Sequence, residues 1–333
     1  MRLSVAVVGA GSWGSTVASI AAHNCPTMLW ARNAEIAEEI NASGTNTRYL
    51  GTSRLHRDLR ATASMEEAVR AADVLVMGVP SHGFRATLEQ ARPYVRAWVP
   101  IISLSKGLEQ GSLLRMTQVV GEVLPGHPAG VLSGPNLARE ILAGFAAASV
   151  VAMEDETIVC ELQRVFKSPI FRVYTNQDVV GCEVGGALKN VIAIAAGMGD
   201  GLGVGDNTKA AVITRGLAEL TRVGIAMGGQ LQTFAGLAGM GDLVATCMSR
   251  QSRNRYVGEQ LGKGRTIDEI STEMHMVAEG VKTSRVVMEL AEKYGVEMPI
   301  AREVYRVVHE GAKAAQAYRG LLRVSPGSEQ DPG

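Results

Sequence analysis

The sequence predicts a doubly wound α/β domain followed by an all-α domain. Three observations lead to this prediction: a glycine-rich turn follows the first apolar run, short apolar runs alternate with helix-like segments through the first half, and strand-like runs stop near residue 178. Apolar strands that alternate with helices are typical of a parallel sheet with helices on both faces. We therefore predict one domain over residues 1–180, a second over residues 181–323, and a disordered tail over residues 324–333.

The predicted strands are short runs rich in β-branched residues, at residues 3–8, 27–31, 74–79, 100–104, 130–132, 148–152 and 171–174. Amphipathic segments predict helices at residues 15–22, 34–42, 65–72, 82–95 and 113–123. After residue 178 the pattern predicts helices alone, at residues 179–196, 207–227, 253–261, 266–269, 282–293 and 300–310.

The turn after the first strand has the spacing G-x-G-x-x-G, with Gly9, Gly11 and Gly14. Between a strand and a helix, such glycines allow a tight turn, a close approach of backbone to a pyrophosphate, and close packing of the helix on the strand. The amide groups at the start of the helix then face the phosphates. We predict a Rossmann-type dinucleotide site here.

The end of the second strand indicates which dinucleotide binds. An NAD site usually has an acidic residue there, which holds the ribose 2′-hydroxyl. This strand ends in Arg32 and Asn33, and no acid occurs before Glu35. Because an arginine can pair with a 2′-phosphate, we predict NADP or NAD as the cofactor, with NADPH favoured.

The composition describes a globular protein without a general affinity for nucleic acid. Basic and acidic residues balance at 33 each, which argues against binding to polyanions. The four cysteines are scattered, so we interpret them as buried thiols in a reducing compartment and predict no metal site. Without an uninterrupted run of about 18 apolar residues, we predict no membrane insertion and a cytoplasmic location.

Two loops lie beyond the carboxyl ends of predicted strands, where parallel sheets bind ligands. One contains Lys106, and the other contains Gly134 and Asn136. A lysine at such a position is either a solvated loop residue or a ligand contact, and its own surroundings in the sequence leave both open.

The helical half contains a predicted anion site. Asp242 and Thr246 are four residues apart and share a helical face. Ser252 precedes Arg253 and Asn254 as a predicted N-cap of a helix that ends at Gly262. A hydroxyl, a guanidinium and an amide at a helix start favour phosphate, although a solvent-facing basic helix start has the same composition.

Lys189 is the most informative charged residue of the helical half. Its helical neighbours one turn away are Gly185, Gly186, Ile192 and Ala193, so no local carboxylate explains the charge. Either a distant acid pairs with it or it points into a site. We expect Asp242 to be the partner, a depressed pKa for Lys189 from its apolar setting, and glycines that let substrate approach its helix.

Several motifs in this order resemble the bacterial NAD(P)-dependent glycerol-3-phosphate dehydrogenase family. The resemblance covers residues 5 to about 311 and rests on residues 9–14, 104–109, 134–138, 186–190, 239–246, 252–255 and 278–280. It implies hydride transfer between NAD(P)H and dihydroxyacetone phosphate, which gives sn-glycerol 3-phosphate for glycerophospholipid synthesis.

The resemblance also implies roles for single residues. It makes Lys189 the catalytic acid/base, and the implied substrate contacts are Lys106, Gly134, Asn136, Lys189, Asp242, Ser252, Arg253 and Asn254. The implied nucleotide contacts are Gly9, Gly11, Ser12, Trp13, Gly14, Arg32, Lys106, Ala138, Arg253, Val277 and Glu279. Asn136 departs from the family pattern, which has Ser or Thr there.

Two other functions stay open at this point. A dehydrogenase of similar build could act on a β-hydroxyacid or on pantoate, and a nucleotide-sensing regulator would need no catalytic lysine. A homodimer is compatible with the sequence, which leaves the oligomeric state open.

Overall fold

The computed structural model describes residues 3–274 and 278–323. The chain divides into two compact units, Met1–Val179 and Val180–Gly333. The predicted tail at residues 324–333 lies outside the described residues.

The first unit is built on an eight-stranded sheet with the order β3-β2-β1-β4-β5-β6-β7-β8. The strands are β1 Val5–Val8, β2 Thr27–Trp30, β3 Arg60–Thr62, β4 Val74–Met77, β5 Ile101–Ser103, β6 Ala129–Ser133, β7 Ala147–Met153 and β8 Phe171–Asn176. All neighbouring strands are parallel except β6 and β7, which pair antiparallel. The order from β3 to β6 is that of a nucleotide-binding Rossmann sheet.

Helices cover both faces of this sheet. They are α1 Ser12–Ala22, α2 Ala34–Ser43, α3 Thr47–Leu50, α4 Met65–Val69, α5 Ser81–Ala91, α6 Met116–Val123, α7 Ala138–Leu142 and α8 Glu156–Phe166. Along β1, Val5 and Val7 belong to one core cluster, and Ala6 and Val8 belong to the cluster on the other face. Because successive strand residues point to opposite faces, an uninterrupted apolar strand is what a sheet buried on both faces requires.

All regular secondary structure in the described residues of the second unit is helical. Its helices are α9 Val179–Leu202, α10 Asp206–Ala226, α11 Leu231–Phe234, α12 Asp242–Met248, α13 Arg253–Gly262, α14 Ile267–Glu273, α15 Glu279–Tyr294, α16 Pro299–His309 and α17 Ala314–Arg323. A π-helical turn, Leu237–Gly241, leads directly into α12. Helix α9 is long and apolar enough to cross a membrane, but 94% of its most apolar window is buried inside the protein, so it is a core helix.

The predicted α/β-to-all-α order is confirmed, although the sheet and several single elements differ from the prediction. The sheet is mixed rather than wholly parallel, because β7 runs antiparallel to β6. A parallel crossover must carry the chain back along the sheet, and the connection after β6, which has only the five-residue helix α7, does not do so. Strand β3 was not predicted, since it begins with the exposed Arg60 and only one of its three residues, Ala61, is buried, whereas all three residues of β5 are buried. Helix α8 was missed although Asp155 accepts a capping hydrogen bond from the Ile158 amide at 2.9 Å, a start signal that the sequence contains.

The prediction of buried thiols is right for two cysteines only. Cys182 and Cys247 are buried, but Cys25 is half-buried and Cys160 is exposed, and no disulfide joins any of the four. Cys160 lies on the solvent face of α8, whose buried face consists of Val159, Leu162, Val165 and Phe166.

Candidate active site

The glycine turn after β1 is shaped by close backbone approaches. Gly9 has a φ of 121°, and a Cβ there would lie 2.6 Å from the Gly78 carbonyl oxygen. A Cβ on Gly14 would lie 2.0 Å from the Gly9 carbonyl oxygen, whereas one on Gly11 would meet no atom within 4 Å. Packing therefore requires glycine at positions 9 and 14, whereas the space beside Gly11 is open.

Hydrogen bonds join the start of α1 to the segment that follows α2. The Asn46 amide donates to the Ala10 carbonyl and to Ser15 Oγ, both at 2.9 Å, and Ser12 Oγ donates to the Tyr49 carbonyl at 3.2 Å. No side chain caps the amides at the start of α1, and its first turn contains no acidic residue. An uncapped helix start of this kind presents N–H groups and a positive dipole end to an anion.

Trp13 adds a second sign of a ligand at this turn. Its indole Nε1 is buried and has no hydrogen-bond partner among the described residues, while its ring packs edge-on against Phe171 at 6.2 Å between centroids. A buried indole N–H normally finds an acceptor. The open space at Gly11, the uncapped helix and this indole together fit a dinucleotide.

Arg32 is exposed just beyond β2. Its neighbour Asn33 has another task, since the Asn33 Oδ1 accepts from the Glu35 amide at 2.9 Å and caps α2. Arg32 therefore remains the residue predicted to bind a 2′-phosphate. In the described contacts, no acidic residue at the start of α2 is bonded to it.

The loops after β5 and β6 are joined by a hydrogen bond from Lys106 Nζ to the Gly134 carbonyl at 2.8 Å. The two predicted loops thus lie side by side at the carboxyl edge of the sheet. Both side-chain polar atoms of Asn136 are buried and have no partner among the described residues. Two unsatisfied polar atoms at a sheet edge that binds ligands are consistent with a bound group. Ala138 begins α7 and packs against the core.

In the second unit, Lys189 is buried in the middle of α9. Its side chain is 5% exposed, and its ammonium donates to Asp242 Oδ1 and, at 2.7 Å, to Thr246 Oγ1. Thr246 in turn donates to the Asp242 backbone carbonyl at 2.7 Å. The predicted partner and the predicted shared face of Asp242 and Thr246 are confirmed.

The ion pair between Lys189 and Asp242 is almost completely buried, so stabilisation of the fold does not by itself explain it. Asp242 is 2% exposed at the side chain, and removing two charges from water usually costs about as much as their attraction returns. Helix α12 begins at Asp242 directly after the π-helical turn, and such turns occur frequently at functional sites. A buried charged pair and an adjacent π-helical turn are both features of functional sites.

The predicted N-cap of α13 is confirmed, because Ser252 Oγ accepts from the Arg255 amide at 3.2 Å. Arg253 is exposed at the first residue of this helix. Asn254 is buried, and its amide joins three elements: it donates to Asn190 Oδ1 and accepts from the Gly280 amide, both at 2.9 Å. Sequence reasoning overlooked Asn190, although an amide next to Lys189 in an apolar run was a signal.

The expectation that glycines leave room for substrate beside α9 is wrong at two positions. A Cβ on Gly185 would lie 2.8 Å from the Ala238 carbonyl oxygen, and one on Gly197 would lie 2.1 Å from the Arg255 carbonyl oxygen. Protein backbone fills the space that those side chains would occupy. These glycines are required for helix packing rather than for access to a ligand.

One predicted nucleotide contact, Glu279, lies at the start of α15. Glu279 is the first residue of that helix and is half-buried. Val277 lies outside the described residues.

A Rossmann sheet with an open glycine turn, followed by a helical unit with a buried lysine, is the build of a nicotinamide-dependent dehydrogenase. Family models describe both parts: NAD-dependent glycerol-3-phosphate dehydrogenase N-terminus matches residues 4–159, and its C-terminus matches residues 178–319. The chain belongs to the NAD(P)-dependent glycerol-3-phosphate dehydrogenase family. Its activity is accordingly that of an NAD(P)-dependent oxidoreductase acting on a CH–OH group.

Individual relatives agree with this assignment over their full length. The chain is 60% identical to glycerol-3-phosphate dehydrogenase (NAD(P)+) 2 of Sphingopyxis alaskensis, with 100% of both chains covered. It is 57% identical to glycerol-3-phosphate dehydrogenase (NAD(P)+) 1 of Mycobacterium bovis, over 98% of this chain and 96% of the relative. The crystal structure of glycerol-3-phosphate dehydrogenase from Coxiella burnetii superposes with a TM-score of 0.92 at 36% identity, over 97% of this chain and 99% of that one.

Proposed function

We propose that Lys189 is the acid/base of a reversible hydride transfer between NAD(P)H and dihydroxyacetone phosphate, which gives sn-glycerol 3-phosphate for glycerophospholipid synthesis. The observation that carries this proposal is the buried ammonium of Lys189, held by Asp242 and Thr246. A buried lysine with a specific charged partner is a candidate functional group on physical grounds.

The reaction needs a proton as well as a hydride. The nicotinamide, when bound, supplies the hydride to the carbonyl carbon of the ketone. Negative charge then develops on the ketone oxygen, where the Lys189 ammonium stabilises it and transfers a proton to it. In the reverse direction neutral Lys189 removes the proton from the alcohol. Asp242 and Thr246 orient the ammonium throughout.

We propose substrate contacts in both units. In the second unit, Ser252, Arg253 and Asn254 stand at the start of the ten-residue helix α13, where the helix dipole and the exposed guanidinium both favour the substrate phosphate. In the first unit, the proposed contacts are Lys106, Gly134 and Asn136.

We propose that the first unit, residues 1–180, is the dinucleotide-binding domain and that residues 181–323 form the substrate and catalytic domain. Gly9, Gly11 and Gly14 would hold the pyrophosphate, and Arg32 would pair with the 2′-phosphate, so that NADPH is preferred. The further proposed nucleotide contacts are Ser12, Trp13, Lys106, Ala138, Arg253, Val277 and Glu279.

We also propose that the enzyme is cytoplasmic, because its four cysteines form no disulfide and thiols stay reduced in that compartment. The homodimer remains a prediction, which sedimentation of the purified full chain tests.

A substrate and cofactor panel tests the proposed function. NADPH and NADH oxidation is followed with dihydroxyacetone phosphate and, separately, with ketopantoate. We expect oxidation that depends on dihydroxyacetone phosphate, with a higher kcat/KM for NADPH than for NADH. Preferred turnover of ketopantoate would contradict the proposed substrate, and a higher kcat/KM for NADH would contradict the proposed role of Arg32.

A further inference from the structure

Glu109 is bound on both carboxylate oxygens by one arginine. Arg85, on α5, donates from Nε to Glu109 Oε1 at 2.8 Å and from Nη2 to Oε2 at 2.9 Å. This two-bond geometry is the most specific form of ion pair, since the planar guanidinium matches a carboxylate in one orientation only. The Glu109 side chain is 18% exposed and the Arg85 side chain 31%, so the pair is partly withdrawn from water.

The same glutamate closes the loop in which it lies. Its amide donates to the Leu114 carbonyl at 2.9 Å, and its carbonyl accepts from the Leu113 amide at 3.0 Å. Ser112 Oγ adds a hydrogen bond to Glu109 Oε2 at 2.6 Å. Leu113 has a φ of 61°, an unfavourable conformation for leucine that persists only where the surroundings impose it.

Lys106 lies three residues before this anchor, and its own segment is held at the other end. Ser105 Oγ donates to the Val79 carbonyl at 2.5 Å, and Lys106 Nζ donates to the Gly134 carbonyl at 2.8 Å. At Gly107, a Cβ would lie 2.6 Å from Ser81 Oγ. The segment is therefore held at both ends. Ser105 is bonded just before the start of α5, and Glu109 is bonded to Arg85 within α5.

We propose that Arg85 and Glu109 are positioning residues that hold Lys106 in place for the substrate. The inference rests on the proposed function, in which Lys106 contacts the phosphorylated substrate. Neither residue needs to touch the substrate, because the pair acts by fixing the backbone that carries Lys106. Fixed geometry of this kind contributes to binding because the ordering cost is met during folding rather than at each binding event.

The charges around the pair keep it ionised in the neutral range. Hydrogen bonding to Arg85 lowers the pKa of the Glu109 carboxyl, and hydrogen bonding to Glu109 and Glu122 raises the pKa of Arg85. Glu122, on α6, reaches Arg85 Nη2 at 2.6 Å but is 54% exposed at the side chain. It offers a second, solvated anion to the arginine and no contact to the Lys106 segment in the described bonds.

The test uses Glu109→Gln and Arg85→Met, each in the parental enzyme and in a Lys106→Met background. We expect either variant to raise KM for dihydroxyacetone phosphate about tenfold, because the charge-assisted bonds between Arg85 and Glu109 are lost and the backbone of Lys106 is no longer fixed. We expect kcat to change less than about threefold. In the Lys106→Met background neither should raise KM further, because residues that act through one contact are not additive. Arg85→Lys keeps the charge but loses the fork, so it should restore KM only in part.

Arg96→Met is the matched control. Arg96 pairs with Asp73 at 2.5 Å, in the same unit but at the amino end of β4, so its loss should lower the melting temperature without changing KM. The inference is overturned if Glu109→Gln leaves KM unchanged, if it raises KM equally without Lys106, or if Arg96→Met has the same effect on KM. An unaltered KM in Lys106→Met overturns it as well and removes Lys106 from the site, whereas absent turnover in the parental enzyme contradicts the proposed function itself.

Discussion

At the scale of single residues, the proposed chemistry depends on one buried charge. Lys189 has no carboxylate within a turn on its own helix, yet Asp242 reaches it from another helix of the same unit. The two interpretations of a lysine among apolar residues, an ion pair and a functional group, thus describe the same contact. A pair that orients an ammonium is also a way to hold a proton donor.

Lys189→Met should reduce kcat by about 10²–10⁴-fold, because proton transfer and charge stabilisation are lost together. NADPH affinity, measured by titration of cofactor fluorescence, should stay near the parental value. Lys209→Met is the control, since Lys209 also pairs with an aspartate, Asp200, at 2.8 Å. Near-parental turnover in a folded Lys189→Met protein would exclude Lys189 as the acid/base.

The single variant leaves Asp242 charged and buried, which costs about 3–5 kcal/mol in comparable cases. The double variant Lys189→Met/Asp242→Asn removes both charges and should recover part of the lost stability. If kcat is as low in the stable double variant as in the single one, loss of folding does not explain the effect.

Arg32→Asp should weaken NADPH binding much more than NADH binding, because an acid replaces the cation expected at the 2′-phosphate and is itself suited to a 2′-hydroxyl. The measurement is kcat/KM for both cofactors. Arg57→Asp is the control, as the Arg57 side chain is 90% exposed in the same unit. An equal loss for both cofactors would mean that Arg32 does not distinguish them.

At the scale of elements, two helices of the second unit touch through their backbones. A Cβ on Gly197 or Gly201 of α9 would lie within 2.2 Å of the Arg255 or Glu259 carbonyl oxygen of α13. On α13, a Cβ on Gly258 would lie 2.0 Å from the Ile194 carbonyl oxygen. Glycines four residues apart on facing helix surfaces produce this close approach, so α13 and its N-terminal Ser252 are set against the helix that contains Lys189.

Gly197→Ala should therefore lower the free energy of unfolding by at least about 1–3 kcal/mol, since a methyl group forces the helices apart. Thermal or urea unfolding measures this. Gly121→Ala is the control: Gly121 is inside α6, and a Cβ there would meet no atom within 4 Å, so the change should be neutral or stabilising by up to about 1 kcal/mol. Equal effects of the two substitutions would show that the contact between α9 and α13 is not tight.

At the scale of the whole molecule, one buried carboxyl couples stability to pH. Glu219, on α10, is 2% exposed and accepts from the amides of Ile300 and Ala301 at 2.7 and 3.2 Å. Burial disfavours the charged form and raises the pKa of Glu219 to about 7, although the helix start partly opposes this. Because the folded state holds the proton more tightly than the unfolded state, the stabilisation is complete below the unfolded pKa and is lost as pH rises through 7.

The free energy of unfolding should thus fall by up to about 1.4 kcal/mol per pH unit as pH rises towards 7. Denaturant unfolding at a series of pH values checks this. Glu219→Gln should flatten the slope, whereas Glu289→Gln, which changes an exposed residue of α15, should leave it as it is. Parallel curves for the parental protein and Glu219→Gln would show that this carboxyl does not titrate in that range.

The sequence alone determined the fold class, the glycine turn between β1 and α1, and the family. These depend on local patterns: the apolar run of β1, the glycine spacing after it, and motifs in order along the chain. The same holds for the cap of α13, because Ser252 precedes its helix directly. Strand β3 was not predicted because only one of its three residues is buried, and helix α7 was not predicted because its five residues span fewer than two helical turns.

The sequence suggested one distant pair, Lys189 with Asp242, but only the tertiary structure established that contact and revealed the others. Lys189 and the partner expected for it, Asp242, are 53 residues apart in the chain. Asn254, whose contacts were not predicted, joins Asn190 and Gly280 across 64 and 26 residues. The tertiary structure also decided that Gly185 and Gly197 face protein backbone rather than substrate, and that Glu109 is held by Arg85. The physical reason is common to all of these: contact across the chain depends on how helices pack, and packing geometry is not contained in the spacing of residues along any one of them.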